Sequence, residues 1–288
     1  MNYMKLIRTR KSTRDFKNEA VNDKKLEGLI KYFDKAHRLV PDIQLEAILF
    51  KDGDYVFDRL DGCAGYNGMM IKAPSYIIIV SDNKEGYIEN TAFVGENMIL
   101  KAVEEGLDTC WISFQSCDSI KERLCLDTAK EVTGIIAVGN ALDKKKVLNP
   151  ADTGDNYSKS DMKIVVDNTS FRYSLEDIIY YKQWGDPISY DELERRGLMD
   201  AFSYARLAPS SLNTQPWKFI LDEGHVVLTI KDDPQIIQRE EKMNAGVIML
   251  YFYLISSDTL YGVQWHLGKP EKEYEIPEEY KIVSWARL

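Results

Sequence analysis

The hydrophobic pattern of the 288-residue chain alternates between helical and strand periods. In "KKLEGLIKYFDKAHRLV", Leu26, Leu29, Ile30, Phe33 and Ala36 recur at helical intervals, which predicts an amphipathic helix. The following "IQLEAILFKDGDYVF" alternates around Asp52-Gly53 and predicts a strand pair joined by a hairpin turn. "APSYIIIVSD" is a β-branched run between Pro74 and Asp82, as expected of a strand buried on both faces. "ENTAFVGENMILKAVEEG" places Val94, Met98 and Ala102 on one helical stripe, and Gly106 suits a left-handed C-cap. "TCWIS" and "TGIIAVGNA" predict two further strands.

Periodicity is lost across Leu142–Ser170, where Lys, Asp, Asn, Gly and Ser collect, and it returns in a similar order afterwards. "SLEDIIYYKQW" and "RRGLMDAFSYARLAPSS" predict helices, and "WKFILDEGHVVLTIKD" predicts a strand pair turning at Glu223-Gly224. "NAGVIMLYFYLISS" predicts a buried helix and "YKIVSWARL" a closing strand. The chain therefore divides into residues 1–150 and 171–288, joined by a linker at 151–170, and reads as α+β. The two parts align element by element as a repeat of about 150 residues, suited to two copies of one domain rather than to a solenoid. Two such copies imply a pseudo-twofold axis and a site at their seam.

Composition narrows the function. Hydrophobic residues make up 44% and charged residues 29%, which is globular, and the net charge is -9 with 46 acidic against 37 basic residues. That balance excludes the broad basic face that nucleic-acid backbones require, so small molecules are the expected ligands. The four cysteines, Cys63, Cys110, Cys117 and Cys125, form no Cys-x-x-Cys pair, and the three histidines have no zinc spacing. Thiols of this kind suit a reducing cytoplasm. Charges interrupt the first fifteen residues, as a secretory signal would not allow. The apolar run Gly246–Ile255 is shorter than the roughly twenty residues of a membrane span.

Two segments carry candidate chemistry. In "RKSTRDF", Arg10, Lys11 and Arg14 flank Ser12, and guanidinium forks at this spacing suit a phosphate. The triple lysine at 144–146 reads as a solvated loop instead. In "APSSLNTQPW", Pro209 ends a helix, Ser210 and Ser211 supply hydroxyls with local backbone amides, and Asn213 and Gln215 offer two-sided amides suited to a heterocycle edge. Pro216 stiffens the entry to the next strand, and Trp217 can wall a site.

Together these segments resemble the flavin-dependent nitroreductases, which carry a basic R-x-S-x-[RK]-x-F segment and, about thirty residues later in the same domain, P-S-x-x-N-x-Q-P-W. Arg10, Ser12, Arg14 and Phe16 match the first motif, and Pro209, Ser210, Asn213, Gln215, Pro216 and Trp217 the second. "ENMILKAVEEGLDTCWI" and "FRYSLEDII" extend the similarity over most of the chain. The departure from the family pattern is that each half keeps one motif and lacks the other: "HRLVPDIQLEAI" and "DPISYDELERRG" stand in the remaining places.

The resemblance implies a nitroreductase-like fold, with the two halves replacing the two subunits of an intertwined dimer. It further implies one FMN per chain, with Arg10, Ser12, Arg14 and Arg172 on its phosphate, Lys11 contributing backbone, and Pro209, Ser210, Ser211, Asn213 and Gln215 on the side of the serine/asparagine loop. Ile112 and Ser113 resemble the stretch whose amide meets flavin N5, and Asn67 falls near a ring-contacting position. The implied activity is reduction of a nitroaromatic or quinone-like acceptor by NAD(P)H in a ping-pong cycle, in a monomeric cytoplasmic protein. The alternative is a flavin-binding or redox-sensing scaffold that does not turn over. No G-x-G-x-x-G follows a strand, so no Rossmann site for the nicotinamide is expected.

Overall fold

The computed structural model describes residues 1–142, 170–259 and 263–288. The linker 151–170 and the triple lysine fall almost wholly outside these residues. The first part contains helices α1 (Tyr3–Thr9), α2 (Asp23–Lys35), α3 (Gly53–Leu60), α4 (Tyr87–Glu104) and α5 (Cys117–Arg123). Strands β1 (Leu45–Phe50), β2 (Ser75–Ser81), β3 (Asp108–Ile112) and β4 (Glu131–Gly139) form an antiparallel sheet in the order β1-β2-β4-β3. The second part contains α6 (Leu175–Ile178), α7 (Tyr190–Arg195), α8 (Met199–Ala205) and α9 (Gln238–Thr259). Its strands β5 (Ile179–Tyr181), β6 (Trp217–Leu221), β7 (His225–Lys231), β8 (Trp265–Leu267) and β9 (Tyr280–Arg287) pair in the order β5-β6-β7-β9-β8. Among the described strands of this sheet, β5 and β6 pair parallel and the other neighbours antiparallel. The fold is α+β.

Every residue of β2 is buried, and alternate side chains go to different cores. Ile77 and Ile79 join the large core that also holds Trp217, Phe219 and Phe252, while Tyr76, Ile78 and Val80 pack with Val56, Leu60 and Ile120 of α3 and α5. The large core spans both sheets because α4 and α9 pack side by side within it. Gly246 permits that approach: a Cβ there would stand 2.2 Å from the Glu89 carbonyl oxygen and 2.8 Å from Ala92 Cβ. Gly95 and Gly134 similarly leave room for the Trp111 indole, whose atoms would lie 2.5 and 2.8 Å from added Cβ atoms.

Several sequence expectations change. Asp52-Gly53 is a helix start rather than a hairpin, because the Asp52 side chain accepts from Tyr55 N at 3.1 Å and caps α3. "SLEDIIYYKQW" divides into α6 and β5, since Ser174 and Asp177 close a capping box around a single turn and the chain then pairs with β6. The helix expected from Arg195 begins at Met199, because Gly197 at φ 68° separates α7 from α8. Strand β8, three residues long, was not expected. Gly106 does end α4 in the left-handed region, at φ 72°, with Leu107 N reaching back to Ala102 O. Among the described residues, no helix is long and apolar enough to cross a membrane.

Candidate functional site

The segment after α1 runs along the free edge of β3. Ser12 bridges Thr109, and Thr13 N donates to Thr109 O at 2.9 Å. Extended geometry sends successive side chains to opposite sides. Arg10 and Ser12 share one side, where Arg10 Nη1 donates to Ser12 Oγ at 3.0 Å. On the other, Lys11 Nζ lies 3.6 Å and Thr13 Oγ1 3.2 Å from Asp108 Oδ1. Arg14 is exposed and forms no ion pair with the described residues.

Arg10 is more deeply held than its sequence context suggested. Its Nε lies 2.8 Å from Glu96 Oε1, and Nη2 donates to Glu96 Oε2 at 3.3 Å. The Nε contact is an ion pair by distance without hydrogen-bond alignment. Glu96, on α4 and fully buried, also accepts from Trp111 Nε1 at 2.7 Å and Tyr251 Oη at 3.0 Å. Burial, followed by the charge of Glu96, pushes the Tyr251 hydroxyl well above its ordinary pKa, so it stays a donor. Burial pulls the Arg10 guanidinium down, but Glu96 and its other neighbours outweigh that and leave it raised. The carboxylate engages one side of the guanidinium and leaves Nη1 toward Ser12.

On the opposite wall, α8 gives way to Pro209, and a 3-10 turn covers Ser211–Asn213. Leu212, Asn213 and Gln215 sit at φ 52°, 58° and 49°, a left-handed run that non-glycine residues adopt at a cost. Two anchors hold it: Ser210 Oγ accepts from Gln215 N at 2.9 Å, and Asn244 Oδ1 on α9 accepts from Ser211 N at 2.9 Å. Arg172 donates through Nη1 to Asn213 Oδ1 and through Nη2 to Leu207 O, the latter at 3.4 Å. Burial, then repulsion from Arg10 and Arg206, lowers the Arg172 pKa against the opposing effect of Tyr251. The Arg10 and Arg172 charges are therefore close enough to interact.

A third wall comes from the end of β3. Ile112 is buried, and Ser113 O accepts from Gly65 N at 2.7 Å. This fixes the turn 62–68 that presents Asn67, itself left-handed at φ 52°. A side chain at Gly65 would overlap Met69 O at 1.9 Å.

These walls enclose one cleft of ≈ 2570 Å³, well above the roughly 300–1,000 Å³ of an ordinary small-molecule site. Arg10, Lys11, Ser12, Arg14, Asn67, Ile112, Ser113, Arg172, Pro209, Ser210, Ser211 and Asn213 all line it. Gln215 does not. It is buried, with Nε2 donating to Phe171 O at 3.1 Å and Oε1 accepting from Tyr173 N at 3.2 Å. Its amide thus holds the segment that carries Arg172 instead of reaching the cleft. Trp217, expected as a wall, lies fully in the core.

Sequence reasoning missed Glu96, Tyr251, Asn244 and Arg239. The signal for the first three was a polar group inside an otherwise apolar helix, which must find a partner when buried. Asn244 has one side-chain atom still unmatched: Nδ2 is buried without a hydrogen-bond partner among the described residues, and the residue lines the cleft.

A family model described as "Putative TM nitroreductase" matches residues 2–256. The chain belongs to this nitroreductase family. A solved structure described as a "putative nitroreductase" from Thermotoga maritima covers 99% of this chain and 93% of its own, at 16% identity and TM-score 0.59, a likeness in fold. A nitroreductase family protein from Clostridium difficile 630 is 25% identical, with TM-score 0.41, over 50% of this chain and 87% of its own. A nitroreductase with bound FMN from Bacteroides fragilis is 15% identical, with TM-score 0.41, over 56% of this chain and 98% of its own. No curated protein matches the chain.

Proposed function

We propose that this nitroreductase-family member is an FMN-dependent NAD(P)H oxidoreductase that reduces nitroaromatic or quinone-like acceptors, with one FMN per chain. The observation that carries the reading is that the basic segment 10–14 and the Pro209–Asn213 loop, far apart in sequence, line the same cleft with Arg172 between. The donor set fits the cofactor. Arg14, Arg172, Ser12 and the remaining edge of Arg10 suit a phosphate, while Asn244 Nδ2 is a buried donor without an acceptor among the described residues. Glu96 neutralises one cation and leaves the local balance positive. Pro209, Ser210, Ser211 and Asn213 would flank the ring, with Ile112, Ser113 and Asn67 across from them.

Bound FMN would supply hydride and electron transfer, and the protein would supply orientation and electrostatics. The guanidinium groups hold the phosphate, the left-handed turn at 212–213 sets the height of the loop wall, and cationic surroundings favour negative charge on the ring. The large cleft leaves room for NAD(P)H and acceptor to use the same face in turn.

A pseudo-dimeric origin supports the single-site reading. Asn90 of α4 accepts from Val40 N at 3.1 Å, just as Asn244 of α9 accepts from Ser211 N. Counting from these asparagines, Ala92 and Gly246 occupy equivalent positions and meet at the helix crossing. Val40 belongs to the segment that lacks the serine/asparagine motif. We place the protein in the cytoplasm, a reading supported by four unpaired thiols, and as a monomer in which the two halves stand in for two subunits.

The test is the visible spectrum of purified protein with flavin released and counted, followed by anaerobic NADH or NADPH. About one FMN per chain, bleached by the nicotinamide, is expected. Two per chain would sink the single-site reading, and flavin that neither nucleotide reduces would replace the enzyme with a binding protein.

A further inference from the structure

The cleft contains a second cationic feature that the cofactor reading does not use. Arg239, in the first turn of α9, lays its guanidinium over Phe114 with Cζ 3.6 Å from the ring centroid. Its Nε and Nη2 have no hydrogen-bond partner among the described residues. Glu241 pairs with Lys281 at 2.6 Å, while Glu240 lies near enough for its charge to act on Arg239 but forms no ion pair or hydrogen bond with it among the described residues. The Cys117 thiol is also within reach, a weak partner for a guanidinium. A half-buried guanidinium with two nitrogens lacking acceptors among the described residues is short of hydrogen-bond partners, and burial pulls its pKa down against the opposing charge of Glu240.

Arg239, Met243 and Val247 line the cleft at i, i+4 and i+8, so one face of α9 forms the wall. Tyr251, which meets Glu96 at the Arg10 end, lies about three turns from Arg239, or about 18 Å at 1.5 Å per residue. Arg239 is therefore separate from the cations assigned to the phosphate. Around the cleft, Tyr66, Met69, Leu212 and Ile237 are exposed at 59%, 65%, 58% and 38%. These apolar side chains surround the space with surface suited to a flat aromatic ligand, and Phe114 backs the Arg239 guanidinium.

Building on the proposed oxidoreductase activity, we propose that Arg239 and Phe114 form the carboxylate-recognising end of the acceptor site, which selects planar aromatic acceptors bearing a carboxylate. The aromatic body lies against the apolar rim, and its carboxylate supplies the acceptor that Arg239 Nε and Nη2 lack among the described residues.

The test titrates flavin-loaded protein with benzoate and with benzamide, its neutral analogue, by calorimetry. Steady-state KM and kcat are measured in parallel for 4-nitrobenzoate and 4-nitrobenzamide. Benzoate is expected to bind at least about tenfold more tightly than benzamide, the value of one charge-assisted contact. Arg239→Gln is expected to abolish that ratio, and Arg239→Lys to restore part of it, with the change carried by the nitrobenzoate KM. Thermal unfolding of both variants checks that the fold is intact, and the lysine variant retains the charge should the glutamine variant fail to fold. Equal affinity in the wild type, or a preference that survives Arg239→Gln, overturns the proposal. An Arg239→Gln effect confined to the NADPH-over-NADH preference also overturns it, in favour of a nucleotide phosphate. Flavin counted in the same samples keeps the two readings apart, since absent FMN refutes the cofactor reading, whereas equal benzoate and benzamide affinity in flavin-loaded wild type refutes this one.

Discussion

Arg10 Nε and Glu96 Oε1 stand 2.8 Å apart with side chains only 5% and 0% exposed. The pair joins the segment after α1 to α4, and Tyr251 extends it to α9. Removing one partner strands the other charge in the core. Glu96→Gln is expected to destabilise the protein by about 3–5 kcal/mol in urea unfolding, and Glu96→Gln with Arg10→Met by less than either substitution alone. Strict additivity in that cycle would show the two side chains to be uncoupled.

Asn244 and Asn90 make the same contact in different settings, which allows a matched comparison. Each alanine substitution frees one loop amide and is expected to cost about 1 kcal/mol. Asn244→Ala is also expected to weaken FMN binding about fivefold or more, whereas Asn90→Ala leaves flavin stoichiometry and affinity unaltered. Fluorescence titration of FMN checks both, and a loss of flavin in Asn90→Ala would mean that the second half-site is in use.

Arg172 shares its guanidinium between Asn213 and the Leu207 carbonyl. Arg172→Gln is expected to raise the FMN dissociation constant roughly 10- to 100-fold, about the value of charge-assisted contacts to a phosphate. The effect should shrink with added salt if it is electrostatic. A salt-independent loss would assign Arg172 to loop support alone.

Gly246 sets the separation of α4 and α9. Gly246→Ala puts a methyl group 2.2 Å from the Glu89 carbonyl oxygen, so the backbones must part. A loss of about 1–3 kcal/mol is expected from chemical denaturation, and an unchanged midpoint would contradict the packing described.

Tyr76 gives the alkaline limb. It is fully buried, donates to Ile71 O at 2.6 Å and accepts from Ala73 N at 2.9 Å. Burial pushes its pKa up from 10 to about 12, partly offset by the Ala73 bond. A raised folded pKa favours the protonated form, so this stabilisation is complete below pH 10 and is lost as pH rises toward about 12. Tyr76→Phe is expected to flatten the stability curve across that interval while lowering stability at neutral pH by about 1–3 kcal/mol. Identical slopes for the two proteins would refute the assignment.

The sequence by itself determined the elements whose signals are local. β2 was legible because seven consecutive residues pack on both faces. The end of α4 was legible because Gly106 takes a conformation that other residues resist. Arg10, Ser12 and Arg14, and Pro209 to Asn213, stood out in the sequence as short runs of candidate binding residues, and the fold brings both runs to one cleft. Asp52-Gly53 misled because the same pair can turn a hairpin or cap a helix, and only the bond from Tyr55 to Asp52 decides between them. Tertiary structure decided which polar side chains face the cleft. Gln215 was drawn inward because the 171–173 backbone needed hydrogen-bond partners, and Glu96 became visible only when the segment after α1, β3 and α9 converged on it. Such roles depend on what lies across a helix or sheet from a residue, and that is set by packing between segments distant in the chain.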